Sequence, residues 1–344
     1  MNILIVRLGA LGDVVHAVPA AAALRKAFPD AGIDWLVDAK HRDIVDLVTV
    51  VDRVIPLERP TLAGWTAALR ALRRTTYDIA IDLQGLMKSA VLARASGAAR
   101  VVGFSIWHLR ERTARPFYSD AHDVDGGHVI RKNLSLLRAV GVTDGEIRFP
   151  LADAPSQALD ELRRRIPPDQ RFALINPGAA WPNKRWLPER FGELASFVRE
   201  ACGLTPVVLW GPGEEGLADA VIAASSNAAI AAPATGVADL VALARASALV
   251  ISGDTGPLHI ATAVGTPTVS LFGPTDPERN GPYALEDVVV SRYETCGCHY
   301  DRRCHQPSWC LGDVGAAEVC AAVQRRLFAA GSLRHEAEDP TSHD

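Results

Sequence analysis

The stretch Val250–Pro277, VISGDTGPLHIATAVGTPTVSLFGPTDP, decides the fold. The apolar run Ala248–Ser252 reads as a buried strand, Gly253-Asp254-Thr255-Gly256 breaks it, and His259–Val264 restores a helical pattern. A second apolar strand, Thr268–Phe272, is closed by Gly273-Pro274. Strand, glycine loop, short helix and parallel strand make a βαβ unit. A glycine turn leading into a helix presents free backbone N–H groups and a positive dipole end, which suits a phosphate or pyrophosphate. Thr255 adds a hydroxyl donor, and Asp254 an acceptor for a sugar hydroxyl. The same residues also read as an ordinary capped helix, with Asp254 or Thr255 at the N-cap.

The pattern repeats outward from this stretch. In the first half, strands are expected at Asn2–Val6, Ile33–Val37, Arg53–Pro56, Ile79–Leu83 and Arg100–Gly103, with helices between them, among them Val14–Phe28. A proline-bounded stretch follows, with a boundary near residues 150–157. The alternation then restarts with strands at Phe172–Ile175 and Pro206–Trp210, a helix at Pro188–Glu200 and another at Asp239–Ala246. Alternating strands and helices mean parallel sheets covered on both faces, in two Rossmann-like α/β domains, 1–152 and 153–330. Val314–Phe328 is a closing helix expected to pack back on the first half, and the polar tail 331–344 is expected to be disordered.

At 344 residues the chain is comfortable for two domains. Its net charge of −4 hides an asymmetry, with 20 Lys and Arg against 16 Asp and Glu in residues 1–150 and the acidic excess in the remainder. An anionic partner would therefore meet the first half. Neither a signal peptide nor an apolar run of the ~18 residues that span a bilayer is visible. Six cysteines without a secretory signal fit a reducing cytosol.

Several residues in the first half have the chemistry of a site. Asp13 closes the loop RLGALGD beyond the first strand, where open α/β sheets bind ligands. A helix N-terminus favours its ionised form, leaving a carboxylate able to accept a proton, although the same position also suits an N-cap. His16, three residues on, is expected on the same face, packed or turned to an acceptor. Leu62, Trp65, Leu69 and Leu72 make an apolar stripe opposite Arg70, Arg73 and Arg74, as in a sheet-covering helix or one resting on an anionic lipid surface. In SIWHLRERTARPFY, residues 105–118, Arg110, Arg112 and Arg115 are spaced to grip an anion, and the loop has too few apolar residues for core.

The segment GDTGPLHIATAVGTPTVSLFGPTDP resembles the signature of the family 9 glycosyltransferases, the ADP-heptose:lipopolysaccharide heptosyltransferases. RLGALGD and AAWPNKRWLPERF extend the likeness over nearly the whole chain, and YDIAIDLQGLMKSA with RERTARPFY is most similar to the heptosyltransferase I branch. The resemblance implies a GT-B architecture with the two domains facing across a cleft, acceptor in the N-terminal domain and nucleotide sugar in the C-terminal one. It implies Asp13 as general base and Lys184 as the group that neutralises the leaving diphosphate. The donor site would comprise Gly178, Ala179, Ala180, Glu214, Glu215, Thr235, Asp254, Thr255, Gly256 and His259. Ala179 and Ala180 replace the family's hydroxyl pair, so backbone N–H groups would substitute there. Gly12, His16, Gln84, Lys88, Arg110, Arg112 and Arg115 would form the acceptor side.

The cysteine run 296–310, CGCHYDRRCHQPSWC, places Cys296, Cys298, Cys304 and Cys310 within fifteen residues. Four thiolates could enclose a tetrahedral ion, zinc by default or iron, in a structural rather than catalytic role; free thiols or a disulfide are the alternatives.

The expected activity is thus metal-independent, inverting transfer of L-glycero-D-manno-heptose from ADP-heptose to the Kdo2-lipid A inner core or nascent lipopolysaccharide. The enzyme would be cytoplasmic and peripheral on the inner leaflet, with no nucleic-acid partner. Within the family the second heptose of the core, or a protein, is another possible acceptor. A nucleotide-sugar epimerase would need further acid/base groups, for which only His16 and His259 are candidates. A non-catalytic binder would use Asp13 only as a cap.

Overall fold

The computed structural model describes residues 1–58, 61–307 and 309–331. The chain forms two compact units, Met1–Ser156 with Gly236–Ala242, and Gln157–Thr235 with the residues from Leu243 onward. The tail expected to be disordered lies, from 332 on, outside the described residues.

Unit 1 contains the strands β1 (Asn2–Val6), β2 (Gly32–Asp38), β3 (Arg53–Leu57), β4 (Ile79–Asp82), β5 (Arg100–Phe104) and β6 (Asp120–His122). Among the described residues they form one parallel sheet in the order β3-β2-β1-β4-β5-β6. Helices α1 (Leu11–Val15), α2 (Val18–Ala27), α3 (Arg42–Asp46), α4 (Leu62–Leu72), α5 (Met87–Ala95) and α6 (Val129–Leu136) make the crossovers. β1 is central and apolar along its length because helices cover both faces, so Ile3–Val6 have no exposed side to spend on polar residues. Val6 aligns with Leu36 on one side and Asp82 on the other, which brings the β1 and β4 loops to the same sheet end.

One expectation changes here, and one alternative is decided. The helix expected over Val14–Phe28 is two helices: Pro19, without an N–H, starts a new helix instead of continuing the old one. On α4 the buried positions are Gly64, Ala68 and Leu72, with Trp65 and Leu69 packed against the core, whereas Leu62 is exposed. The stripe mostly covers the sheet, as burial of Trp65 and Leu69 favours.

Unit 2 repeats the plan. Its helices are α7 (Gln157–Arg165), α8 (Pro188–Glu200), α9 (Glu215–Ala224), α10 (Val237–Ala246, whose first turns count with unit 1), α11 (Gly256–Ala263), α12 (Pro277–Asn280) and α13 (Ala316–Ala329). The strands β7 (Phe172–Asn176), β8 (Thr205–Val208), β9 (Ile230–Ala231), β10 (Leu249–Gly253), β11 (Thr268–Phe272) and β12 (Val288–Ser291) are ordered β12-β11-β10-β7-β8-β9, all parallel. The opening stretch is β10-α11-β11, beside β7 at the centre. The closing helix, expected to pack back on the first half, counts with unit 2 as α13. It buries Val319, Val323 and Leu327 in the core of unit 2, against α8 and β12.

Candidate active site

In unit 2 the loops after β7 and β10 meet because the strands are adjacent. Asn176 ends β7, and its Nδ2 donates to Ser252 Oγ (3.0 Å), Thr255 Oγ1 (2.9 Å) and the carbonyl of Gly178 (3.2 Å). Thr255 therefore spends its hydroxyl within the loop cluster. It occupies the N-cap position of α11 without a side-chain capping bond, and Gly256 begins the helix. Asp254, expected to await a sugar hydroxyl, is buried and fully engaged. Its Oδ2 takes Lys184 Nζ (2.5 Å) and Thr275 Oγ1 (2.7 Å), and Oδ1 lies 3.1 Å from His259 Nε2. Burial on its own would raise the Asp254 pKa. The His259 hydrogen bond and charge, followed by Lys184, outweigh it and hold the carboxylate well below its usual range. Lys184 also lies 4.4 Å from the centroid of the Trp181 ring, a cation–π contact.

The Gly178 loop joins the same region. A Cβ at Gly178 would fall 2.2 Å from Glu214 Oε2, so glycine lets that carboxylate approach the loop backbone. Glu214 also accepts from Gly211 N (3.2 Å) and pairs with Arg185 (3.4 Å), and Arg185 Nε donates to the carbonyl of Ala179 (2.9 Å). Ala179 is buried and Ala180 exposed. Glu215, with Trp210, Ala218 and Pro233–Ala234, lines a cavity of about 500 Å³, and Thr235 follows its rim. The structure thus gathers Lys184, Asp254, Thr255, Gly256 and His259 in one network and Gly178, Ala179 and Glu214 in a neighbouring one.

In unit 1, Asp13 sits in the first turn of α1, not at its N-cap, which is Ala10. Its Oδ2 reaches back to Ala10 N (3.3 Å), while Oδ1 is 2.8 Å from Arg7 Nη2. Gln84 Oε1 accepts from Leu8 N (2.6 Å), tying the β4 loop to the β1 loop. Gln84 is therefore committed to the Asp13 loop. Gly12 is buried; so is His16, which stacks edge-on to His128 at 5.4 Å. Lys88 is half-buried in the first turn of α5.

The arginine segment differs from expectation, since it does supply core. Ala114 and Tyr118 are buried, and the Tyr118 ring packs where a Cβ on Gly103 would stand, within 2.5 Å. The Tyr118 hydroxyl donates to Asp82 Oδ2 (2.7 Å); Asp82 also accepts from Ser89 Oγ (2.8 Å) and Gln84 N (2.9 Å). Burial raises the Asp82 pKa despite these donors. Arg110 and Arg112 are exposed, Arg112 beside Trp107, whereas Arg115 binds the carbonyl of Tyr118 (3.2 Å). Glu111 caps α5 by accepting from Met87 N (2.7 Å).

Sequence reasoning missed Arg7, Asn176, Thr275 and Tyr118. It also missed His41: burial, then the charge of Lys40, push its imidazole down to about 4 against the pull of Asp13, so it is neutral at pH 7. Only Asn176, polar at the end of an apolar strand, carries a visible signal.

The four clustered cysteines do not form the expected cage. Cys298 and Cys304 sulfurs are 3.4 Å apart, but Cys296 Sγ accepts from Cys298 N and Cys298 Sγ from His305 N. Burial raises the Cys304 thiol, and burial with a hydrogen bond to Cys296 pushes Cys310 up to about 12. Among the described residues no group of three or more His, Cys, Asp or Glu is arranged to hold a metal ion, and the six cysteines are free thiols. No described helix is long and apolar enough to cross a membrane.

The model of glycosyltransferase family 9 (heptosyltransferase) matches residues 65–310. Lipopolysaccharide heptosyltransferase 1 of Pseudomonas aeruginosa is 30% identical over 322 residues, covering 90% of this chain and 89% of that protein. The structure of E. coli heptosyltransferase WaaC with ADP-2-deoxy-2-fluoro heptose matches with a TM-score of 0.75 and 25% identity, over 94% of this chain and 99% of that one. A family 9 glycosyltransferase from Veillonella parvula shares the fold with a TM-score of 0.82 at 23% identity, over 95% and 97% of the two chains. Two parallel α/β sheets and these neighbours make the architecture GT-B. With more than two thirds of its residues matched, the chain belongs to glycosyltransferase family 9, the heptosyltransferases.

Proposed function

We propose that this enzyme transfers L-glycero-D-manno-heptose from ADP-heptose to the Kdo-lipid A inner core of lipopolysaccharide, with inversion and without a catalytic metal. The observation that carries the reading is the Lys184–Asp254–His259–Thr275 network beneath the Gly253–Gly256 loop. It holds an ammonium, 14% exposed, beside the N-terminus of α11, two sources of positive charge for a diphosphate. Asp254 orients Lys184, whose charge would offset that of the departing ADP. The relative crystallised with a fluorinated ADP-heptose supports the donor class. The cavity beside Glu215 has room for an adenine, and Glu214 is placed beside the Gly178 loop to bind a ribose hydroxyl.

On the acceptor, Asp13 takes the proton of the attacking hydroxyl as that oxygen bonds to the anomeric carbon. The bond from that carbon to the ADP oxygen breaks, and the electron pair leaves with ADP. Arg110 and Arg112, exposed beside Trp107, suit the anionic groups of a lipid-linked acceptor at a membrane surface. The second heptose of the core is the alternative acceptor within the family.

The test is the product. With ADP-heptose and heptose-deficient lipopolysaccharide, NMR of the new linkage should show the anomeric configuration opposite to the donor's. Retention would contradict single displacement, and transfer only to heptose-bearing core would reassign the acceptor.

A further inference from the structure

We infer that Arg7 is a positioning residue for the reaction: its guanidinium fixes the Asp13 carboxylate from the core side. The inference rests on the reading of Asp13 as the base. Arg7 follows β1, and its backbone is held on both sides, N–H to the carbonyl of Leu36 (3.2 Å) and C=O from Trp35 Nε1 (3.2 Å). The side chain turns inward and is 6% exposed, against 35% for Asp13. One terminal nitrogen donates to the carbonyl of Leu83 at the end of β4; the other is 2.8 Å from Asp13 Oδ1. Buried Nε has no hydrogen-bond partner among the described residues.

A helix cap does not need this arrangement. The capping contact of Asp13 is the one its other oxygen makes with Ala10 N. Taking a guanidinium out of water and leaving one of its N–H groups unpaired is costly, and a surface carboxylate gains little from it in stability. What the arrangement does provide is geometry. Leu83 O, at the end of β4, fixes the guanidinium, and the guanidinium fixes Oδ1, so the carboxylate cannot rotate freely. Its exposed side remains open for a hydroxyl. Neutral His41 stands against Gly9 in the same loop, where a Cβ would meet its ring at 2.7 Å, so it closes the loop without adding a competing charge.

The experiment compares Arg7→Gln, Arg7→Lys and Asp13→Asn in the full chain, each checked for folding by circular dichroism. Turnover is measured with ADP-heptose and heptose-deficient lipopolysaccharide. Arg7→Gln should lower kcat about 100-fold, the scale of a misplaced catalytic group, and leave both KM values within about threefold. Arg7→Lys keeps the charge and should hold kcat within about fivefold of wild type. Asp13→Asn should abolish turnover, and adding Arg7→Gln to it should cost nothing further. An inactive Asp13→Asn with a fully active Arg7→Gln would overturn the role of Arg7 and leave the base standing. A fully active Asp13→Asn would overturn the base itself, and Arg7's role with it. If Arg7→Gln does not fold, Arg7→Lys decides: a folded variant with kcat within about fivefold of wild type supports the role, and one as inactive as Asp13→Asn overturns it.

Discussion

Lys184 Nζ lies 2.5 Å from Asp254 Oδ2, in a pair whose side chains are 14% and 5% exposed, and Thr275 donates to the same oxygen. The lysine is thus held in place by a carboxylate seventy residues away in the chain. Lys184→Met should therefore lower kcat by roughly 10²–10³, the loss typical of one charge-stabilising donor, while the protein stays folded. Steady-state kinetics on the folded variant tests this; an unchanged kcat would remove Lys184 from the chemistry.

Breaking the pair from the other side should be felt in stability. Asp254→Ala leaves a buried ammonium unmatched and should cost about 3–5 kcal/mol in urea unfolding. The pH dependence follows from the depressed Asp254 pKa. An acid held below its unfolded value stabilises the fold fully above that value, roughly pH 4, and the contribution fades as pH falls through the folded value. The stability gap between wild type and Asp254→Asn should therefore be constant near neutrality and narrow below about pH 4. A gap that widens on acidification would contradict the assignment.

Gly178 has room for no side chain while Glu214 keeps its place. Gly178→Ala should displace the Glu214 carboxylate, costing about 1–3 kcal/mol, and raise KM for the donor more than it lowers kcat. A selective rise in the acceptor KM would instead detach this loop from the nucleotide.

Tyr118→Phe removes a donor from buried Asp82 and should cost about 1–3 kcal/mol at pH 8. Because burial raises the Asp82 pKa, the folded state takes up its proton first, and stability falls as pH rises from the unfolded value through the folded one. The loss in Tyr118→Phe should be larger at the higher of two pH values that bracket protonation of the Asp82 carboxyl. Equal losses in denaturant melts at both pH values would show that Asp82 is not the partner that matters.

The sequence made the central strands legible and the edges obscure, for a physical reason. β1, β7 and β10 are covered on both faces and so read as apolar runs with polar residues only at their ends, while β11 buries the hydroxyls of Thr268 and Ser270 among its apolar residues. β6 is Asp-Ala-His, and β9 is two half-buried residues; neither carries a burial pattern to detect. β12 is apolar but only partly buried at the opposite edge. The site divides similarly. Asp13, Lys184 and the Gly253–Gly256 loop stand out because they follow strand ends or open helices. Arg7, Thr275 and Tyr118 act through bonds to Leu83, Asp254 and Asp82, which lie 76, 21 and 36 positions away. No local spacing encodes such ties. The cysteine cluster shows the converse, since close spacing in sequence makes no group arranged to hold an ion among the described residues.

The most direct measurement is ADP release from ADP-heptose with heptose-deficient lipopolysaccharide, comparing wild type with Asp13→Asn, with and without EDTA. The account predicts turnover by wild type that chelator leaves unchanged, and none by a variant that still binds ADP-heptose. Equal turnover by Asp13→Asn, or loss of wild-type turnover with EDTA, would contradict base-catalysed transfer without a metal.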